Sequence, residues 1–225
     1  MNSSALIKKS KFYKALSLAL ALILTVSAAL LCGSCKKQDP DAPSGMKKAY
    51  AENAGYYIYI PTDWICVTVD GSLLTSAHVS DADYTNLTVM AYTGDMTYTS
   101  LTDYFESYKK SLVKIFDTDD EGNTDFAFVV EGETCLLGGV AAQKYIYTGT
   151  VGGASLKYEQ VISYYNGDYY IITFTSDIDL FDKHTEDFEL ILQNFAFEKA
   201  PSTAAVLTDA PQTTDNAANG DDAAQ

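Results

Sequence analysis

The chain has 225 residues and carries 30 acidic residues against 15 basic ones, a formal net charge of −15. Such a surface repels nucleic acid and anionic lipid headgroups, which excludes polyanion-binding classes, and it suits cations or basic partners. The length is ample for one packed core, and with only two histidines general bases that work near neutral pH are scarce.

The chain opens with lysines in "KKSKFYK" and continues into "ALSLALALILTVSAALL", Ala15 to Leu31, which has no charged residue. A basic stretch followed by an apolar one is the order of a secretory leader. Next, "LLCGSCKK" sets Cys32 and Cys35 three apart, the spacing of a redox pair or of a lipid attachment site. A redox pair needs a thiol on a helix N-terminus inside a compact domain, and nothing upstream forms one. Signal peptidases cut after small residues, so Ser34 is accepted and Leu31 is not. The stretch resembles a bacterial lipobox, with Gly33 and Ser34 as the small residues and Cys32 where leucine is usual. On that reading Cys35 carries the diacylglyceryl group and Cys32 is discarded. The alternative is an uncleaved anchor, since the apolar run is close to the short limit for crossing a bilayer. Either way the rest of the chain is expected at the extracytoplasmic face of the cell membrane, tethered to it. All 15 basic residues are lysine, and a chain cut before Cys35 keeps 11 of them against 30 acids, a formal charge of −19.

Four segments follow: a leader over 1–34, a flexible tether over 35–54, a folded domain over 55–199, and an acidic tail over 200–225. The tail lacks aromatic residues and is rich in Ala, Thr and Asp, so it cannot bury enough apolar surface to offset chain entropy and is expected to be disordered. Within the domain, "YYIYI" (Tyr56 to Ile60), "ICVTV" (Ile65 to Val69) and "NLTVMAY" (Asn86 to Tyr92) alternate with period two and predict strands. "SLTDYFESYKKSLVKIF" then predicts a helix: Ser100 and Asp103 have capping-box spacing, and Leu101, Tyr104, Phe105, Tyr108, Leu112 and Ile115 share one face. "FAFVV", "ETCLL" and "AAQKYIYTG" read as three further strands. Ser155 to Ser176 reads as a hairpin, because Asn166 and Gly167 tolerate the positive φ of a type I′ turn. A second amphipathic helix is expected after Thr185 as its cap, with Phe188, Ile191, Leu192 and Phe195 on one side, before a terminal "FAFE". The class is α+β, an antiparallel sheet flanked by helices.

The strand "YYIYIPTDW", the pair "NLTVMAYTG" and "SLTDYFESYKKSL", the strand "LGGVAAQKYIYT", the hairpin "YYNGDYYIITFTS" and the closing "FELILQNFAFE" together resemble the PsbP-like superfamily. That superfamily includes the photosystem II extrinsic protein, a Ran-binding nuclear-transport factor and many bacterial lipoproteins. The resemblance spans Gly55 to about Glu198 and implies an antiparallel sheet sandwiched between helices, an α/β/α sandwich. It rests on packing patterns, and no functional residue of the family transfers to a position here.

Candidate chemistry is sparse. No G-x-S-x-G or Cys-with-His signature surrounds a nucleophile, and no catalytic residue is assigned; His184 is expected to be solvated at a helix start and His78 to lie in a loop. The loop "DTDDEGNTD" has the front of an EF-hand: Asp117, Asp119 and Glu121 at positions one, three and five, Gly122 at six, Asp125 at nine. At position twelve stands Phe128 in place of the bidentate glutamate, and a strand is expected where the exiting helix belongs. Calcium is therefore the one candidate cofactor, weighed against a solvated acidic turn. Cys66 and Cys135 are the candidate disulfide in an oxidising compartment, the alternative being two separate buried thiols. Of the 17 tyrosines, Tyr164, Tyr165, Tyr169 and Tyr170 flank the hairpin tip and are the candidate exposed binding surface, against the alternative that they stabilise the sheet. The reading that follows is a lipid-anchored, non-enzymatic binding or adaptor domain for a protein partner at the cell envelope. A ligand-binding module for calcium or glycan is the alternative.

Overall fold

The computed structural model describes residues 41–49, 55–68, 74–94 and 98–198. The expected leader, Cys35, most of the tether and the tail over 200–225 lie outside the described residues. Ten strands and two helices are present among those described: β1 (Met46–Ala49), β2 (Tyr56–Pro61), β3 (Ile65–Thr68), β4 (Leu74–His78), β5 (Asn86–Thr93), α1 (Leu101–Leu112), β6 (Ala127–Leu137), β7 (Val140–Val151), β8 (Ala154–Tyr165), β9 (Asp168–Asp177), α2 (Thr185–Gln193) and β10 (Ala196–Phe197). Seven strands form an antiparallel sheet in the order β3-β4-β5-β9-β8-β7-β6, and β1-β2-β10 form a smaller one. The architecture is α+β, as the sequence patterns and the resemblance imply.

Side-chain alternation sends the large sheet's residues to two cores. On one face Tyr145, Tyr147, Tyr158, Ile162, Tyr164, Tyr169 and Ile171 meet Leu101, Tyr104, Phe105, Tyr108 and Leu112 of α1. On the other face Val140, Ala142, Val161, Tyr165, Tyr170, Ile172 and Phe174 meet Phe188 and Ile191 of α2, Ile58 and Ile60 on the inner side of the small sheet, and Trp64 between β2 and β3. Each fully buried side chain of this size stabilises the fold by roughly 1.5–3 kcal/mol relative to exposure, so a helix is held wherever five of them line one face.

The local signals explain the elements. Asn166 and Gly167 both have positive φ, 52° and 93°, so the β8–β9 turn takes the geometry whose twist matches the strands it joins. Ser100 caps α1 by accepting from the Asp103 N–H at 3.0 Å, while the Asp103 carboxylate accepts from the Thr99 hydroxyl. Three expectations change. Met46–Ala49, placed in the tether, pairs with β2 and buries Met46 and Ala49. "FAFVV" and "ETCLL" join as one eleven-residue strand, β6, whose register against β7 shifts at Phe128/Val130 and Glu131/Glu133, the second beside Gly132 at φ 80°. His184, not Thr185, occupies the cap position of α2, and the Thr185 hydroxyl donates to the Phe181 carbonyl instead.

Candidate functional site

His184 is buried, contrary to the solvated position expected for it. Its Nε2 lies 2.9 Å from Asp83 Oδ2, its Nδ1 lies 3.5 Å from Asp187 Oδ2, and the ring stands edge-on to Trp64. Asp83 sits in the β4–β5 loop, where its Oδ1 also accepts the Thr85 N–H at 3.1 Å. Burial works against the charge on Asp83, but hydrogen bonds from Thr85 and His184 outweigh it and hold the carboxyl down at about 2. Both ring nitrogens of His184 face carboxylates, and the contact with Asp83 is a hydrogen bond. His78 ends β4 rather than lying in a loop, and its Nε2 is 3.8 Å from Asp81.

The acidic loop is a brace. Asp117 accepts from the N–H groups of Gly152 and Gly153 at 3.0 and 2.8 Å, fixing the β7–β8 turn. Asp119 accepts from the N–H groups of Glu121 and Asn123 and from the Asn123 side-chain amide, and these bonds keep its carboxyl below the usual range. Asp125 accepts from the Thr150 N–H and hydroxyl at 2.8 and 2.7 Å, with the same effect. Gly122, at φ 84°, makes the expected tight turn, and a strand follows where an EF-hand has a helix. An open hollow of about 330 Å³ lies between Asp117, Asp119, Asp125 and Thr150. Among the described residues, no group of three or more His, Cys, Asp or Glu side chains is arranged to hold a metal ion.

Cys66 and Cys135 are free thiols. They do not pair because β3 and β6 are the two edges of the seven-stranded sheet, six strand spacings apart, whereas a disulfide needs Cα atoms within about 7 Å. Burial pushes the Cys135 thiol up to about 11, against the pull of Lys144.

The four hairpin tyrosines are not an exposed surface. Tyr164 and Tyr169 point toward α1, where Tyr169 stacks on Tyr104 at 4.2 Å. Tyr165 and Tyr170 point the other way, onto Phe197 at 4.1 and 4.9 Å. All four are at most 4% exposed, because at this end of β8 and β9 both faces of the sheet are covered. The surface that sequence patterns did not reveal is β6: among the described residues no strand pairs with its outer edge, and Val129 and Leu136 on it are 59% and 69% exposed. The one sequence signal for it was Gly132 within an alternating run, a mark of a bulged strand.

No family model matches the chain, and no curated protein matches it in sequence. Solved structures do match. Cyanobacterial PsbP (CyanoP) from Synechocystis sp. PCC 6803 aligns at 17% identity and a TM-score of 0.52, covering 73% of this chain and 98% of that one. A Bacteroides thetaiotaomicron protein aligns at 11% identity and a TM-score of 0.48, the chain spanning about half its length (49%) and the match covering 69% of this chain. LpqN, involved in cell envelope biogenesis of Mycobacterium tuberculosis, aligns at 13% identity and a TM-score of 0.43, covering 67% of this chain and 89% of that one. The domain is PsbP-like in fold.

Proposed function

We infer that this PsbP-like domain is a non-enzymatic binding module, held at the extracytoplasmic face of the cell membrane by lipid on Cys35, that engages a protein partner in the envelope. The observation that carries the reading is the outer edge of β6. Along its eleven residues, the backbone N–H and C=O groups that face away from β7 have no strand beside them among the described residues, and exposed Val129 and Leu136 flank them, a surface onto which an extended segment of another protein adds as an eighth strand. The two bulges limit indiscriminate edge-to-edge pairing, which favours a partner shaped to them. The hydrogen bond from buried His184 to Asp83 supports a structural role for that histidine.

Crosslinking in cells followed by capture of the full chain tests this. The wild-type chain is expected to recover one envelope protein that is lost both from Cys35→Ala, which cannot be lipidated, and from Leu136→Asp, which charges the edge. Equal recovery by all three chains, or none by the wild type, overturns the reading.

A further inference from the structure

The outer edge of β6 carries a charge pattern set by its second bulge. On β7 the consecutive residues Lys144 and Tyr145 pair with Glu133 and Glu131, which are two apart, so Gly132 is the extra residue. On a regular strand residues two apart share a face, and the bulge turns Glu131 and Glu133 to opposite faces instead. Glu131 accepts from the Lys109 ammonium of α1 at 2.7 Å, and Glu133 lies 3.1 Å from the Lys144 ammonium on the side that faces α2. In both pairs the carboxylate stands outward and the lysine inward: the glutamate side chains are 52% and 56% exposed, the lysines 28% and 26%. Each face of the sheet therefore ends on a carboxylate at this edge, and Leu136 follows on the α1 side, 69% exposed.

A strand added here meets these three side chains in a fixed order. Counted as β7 is, without a bulge, the residue opposite Leu136 is followed three and four positions later by the residues opposite Glu133 and Glu131. Partners directly opposite lie about 5 Å apart at Cβ, where unlike charges stabilise the pairing and like charges oppose it. The fitting segment has an apolar residue, any two residues, and then two consecutive lysines or arginines when it runs antiparallel to β6, and the reverse order when it runs parallel.

Charge also decides between occupants. A second copy of the chain would bring Glu131 and Glu133 of its own β6 to the same edge, on a molecule of net charge −15, and the tail over 200–225 carries four aspartates and no lysine. Both have the sign of the edge they would have to join. The loop leading into β6 extends that sign past the strand's first residue with Asp119, Asp120 and Glu121.

We propose that the β6 edge is specific for a basic extended segment of the form apolar-x-x-(Lys/Arg)-(Lys/Arg), whose cations meet Glu133 and Glu131 and whose apolar residue meets Leu136. The proposal rests on the reading of β6 as the docking edge and adds the chemistry of what docks there.

Fluorescence anisotropy of labelled peptides titrated with the full chain is the test. The peptide Thr-Val-Thr-Thr-Lys-Lys-Thr-Thr-Val-Thr reads the same in both directions, so it presents the pattern whichever way it pairs. It is expected to bind about three- to tenfold more tightly than a version with Thr-Thr at its centre, the worth of two cross-strand charge pairs, and a Glu-Glu version more weakly than either. That preference should shrink at high salt and disappear in the double variant Glu131→Gln with Glu133→Gln, while the neutral peptide binds as before. The salt dependence supplies the reading if the double variant folds poorly. Equal binding of the Lys-Lys and Thr-Thr peptides, lost from Leu136→Asp, overturns the basic specificity and leaves β6 as the docking edge, whereas binding of none of the three overturns both. A Lys-Lys preference that survives in the double variant overturns the proposal, as does self-association of the chain that Leu136→Asp abolishes, which would put a second copy at the edge.

Discussion

Asp83 and His184 show how much one pair of residues can contribute to this domain. A carboxyl held at about 2 against an ordinary 3.8 stabilises the folded chain above the ordinary value, and that contribution disappears as pH falls through 2. The expected size is about 2 kcal/mol, at a side chain only 13% exposed. Asp83→Asn should therefore lower stability at pH 6 by about that amount and flatten the loss of stability between pH 4 and pH 2, as read from urea unfolding at each pH. An unchanged acid limb in the variant would show that Asp83 is not the group responsible. The same economy of charge explains the acidic loop. Asp117, Asp119 and Asp125 are placed where backbone N–H groups of a turn need acceptors.

At the scale of elements, β7 carries a close approach that its sequence hardly announces. A Cβ added at Gly149 would stand 2.3 Å from the Phe116 ring, which crosses the strand at this point and meets Tyr147 and Tyr158 edge-on. Gly149→Ala should cost about 1–3 kcal/mol through overpacking, visible as a lower melting temperature, because the ring is buried and has nowhere to retreat. Retention of the wild-type melting temperature would mean that the 3-10 turn after α1 (Val113–Ile115), which leads into Phe116, shifts freely. Strand β6 is the contrasting element. Its alternation is broken at two bulges, so it reads as two short strands in the sequence, yet pairing with the twelve-residue β7 makes it one.

For the whole molecule, the order of the seven strands sets the chemistry of the cysteines. Because β3 and β6 close opposite edges, unfolding a chain that begins after Cys35 under non-reducing conditions should release two titratable thiols and leave gel mobility insensitive to reductant. In the native state Cys135 should react slowly with iodoacetamide at pH 8, since burial raises its thiol to about 11 and little thiolate is present. Finding no free thiol would mean that the sheet order is wrong, as no side-chain rotation could bridge its edges.

The amino-acid sequence by itself determined the β8–β9 hairpin, helix α1 and the α+β class. A type I′ turn at Asn166–Gly167, a serine cap with apolar residues recurring at helical spacing, and period-two strands depend only on neighbours along the chain. Tertiary structure decided the rest. Whether Tyr164 and Tyr170 face water depends on what covers each side of the sheet, which alternation alone does not say. Whether Cys66 meets Cys135 depends on strand order. That His184 meets Asp83, 101 residues away, depends on the β4–β5 loop arriving at the start of α2. Local periodicity specifies which residues share a face, and only the assembled layers specify what that face meets.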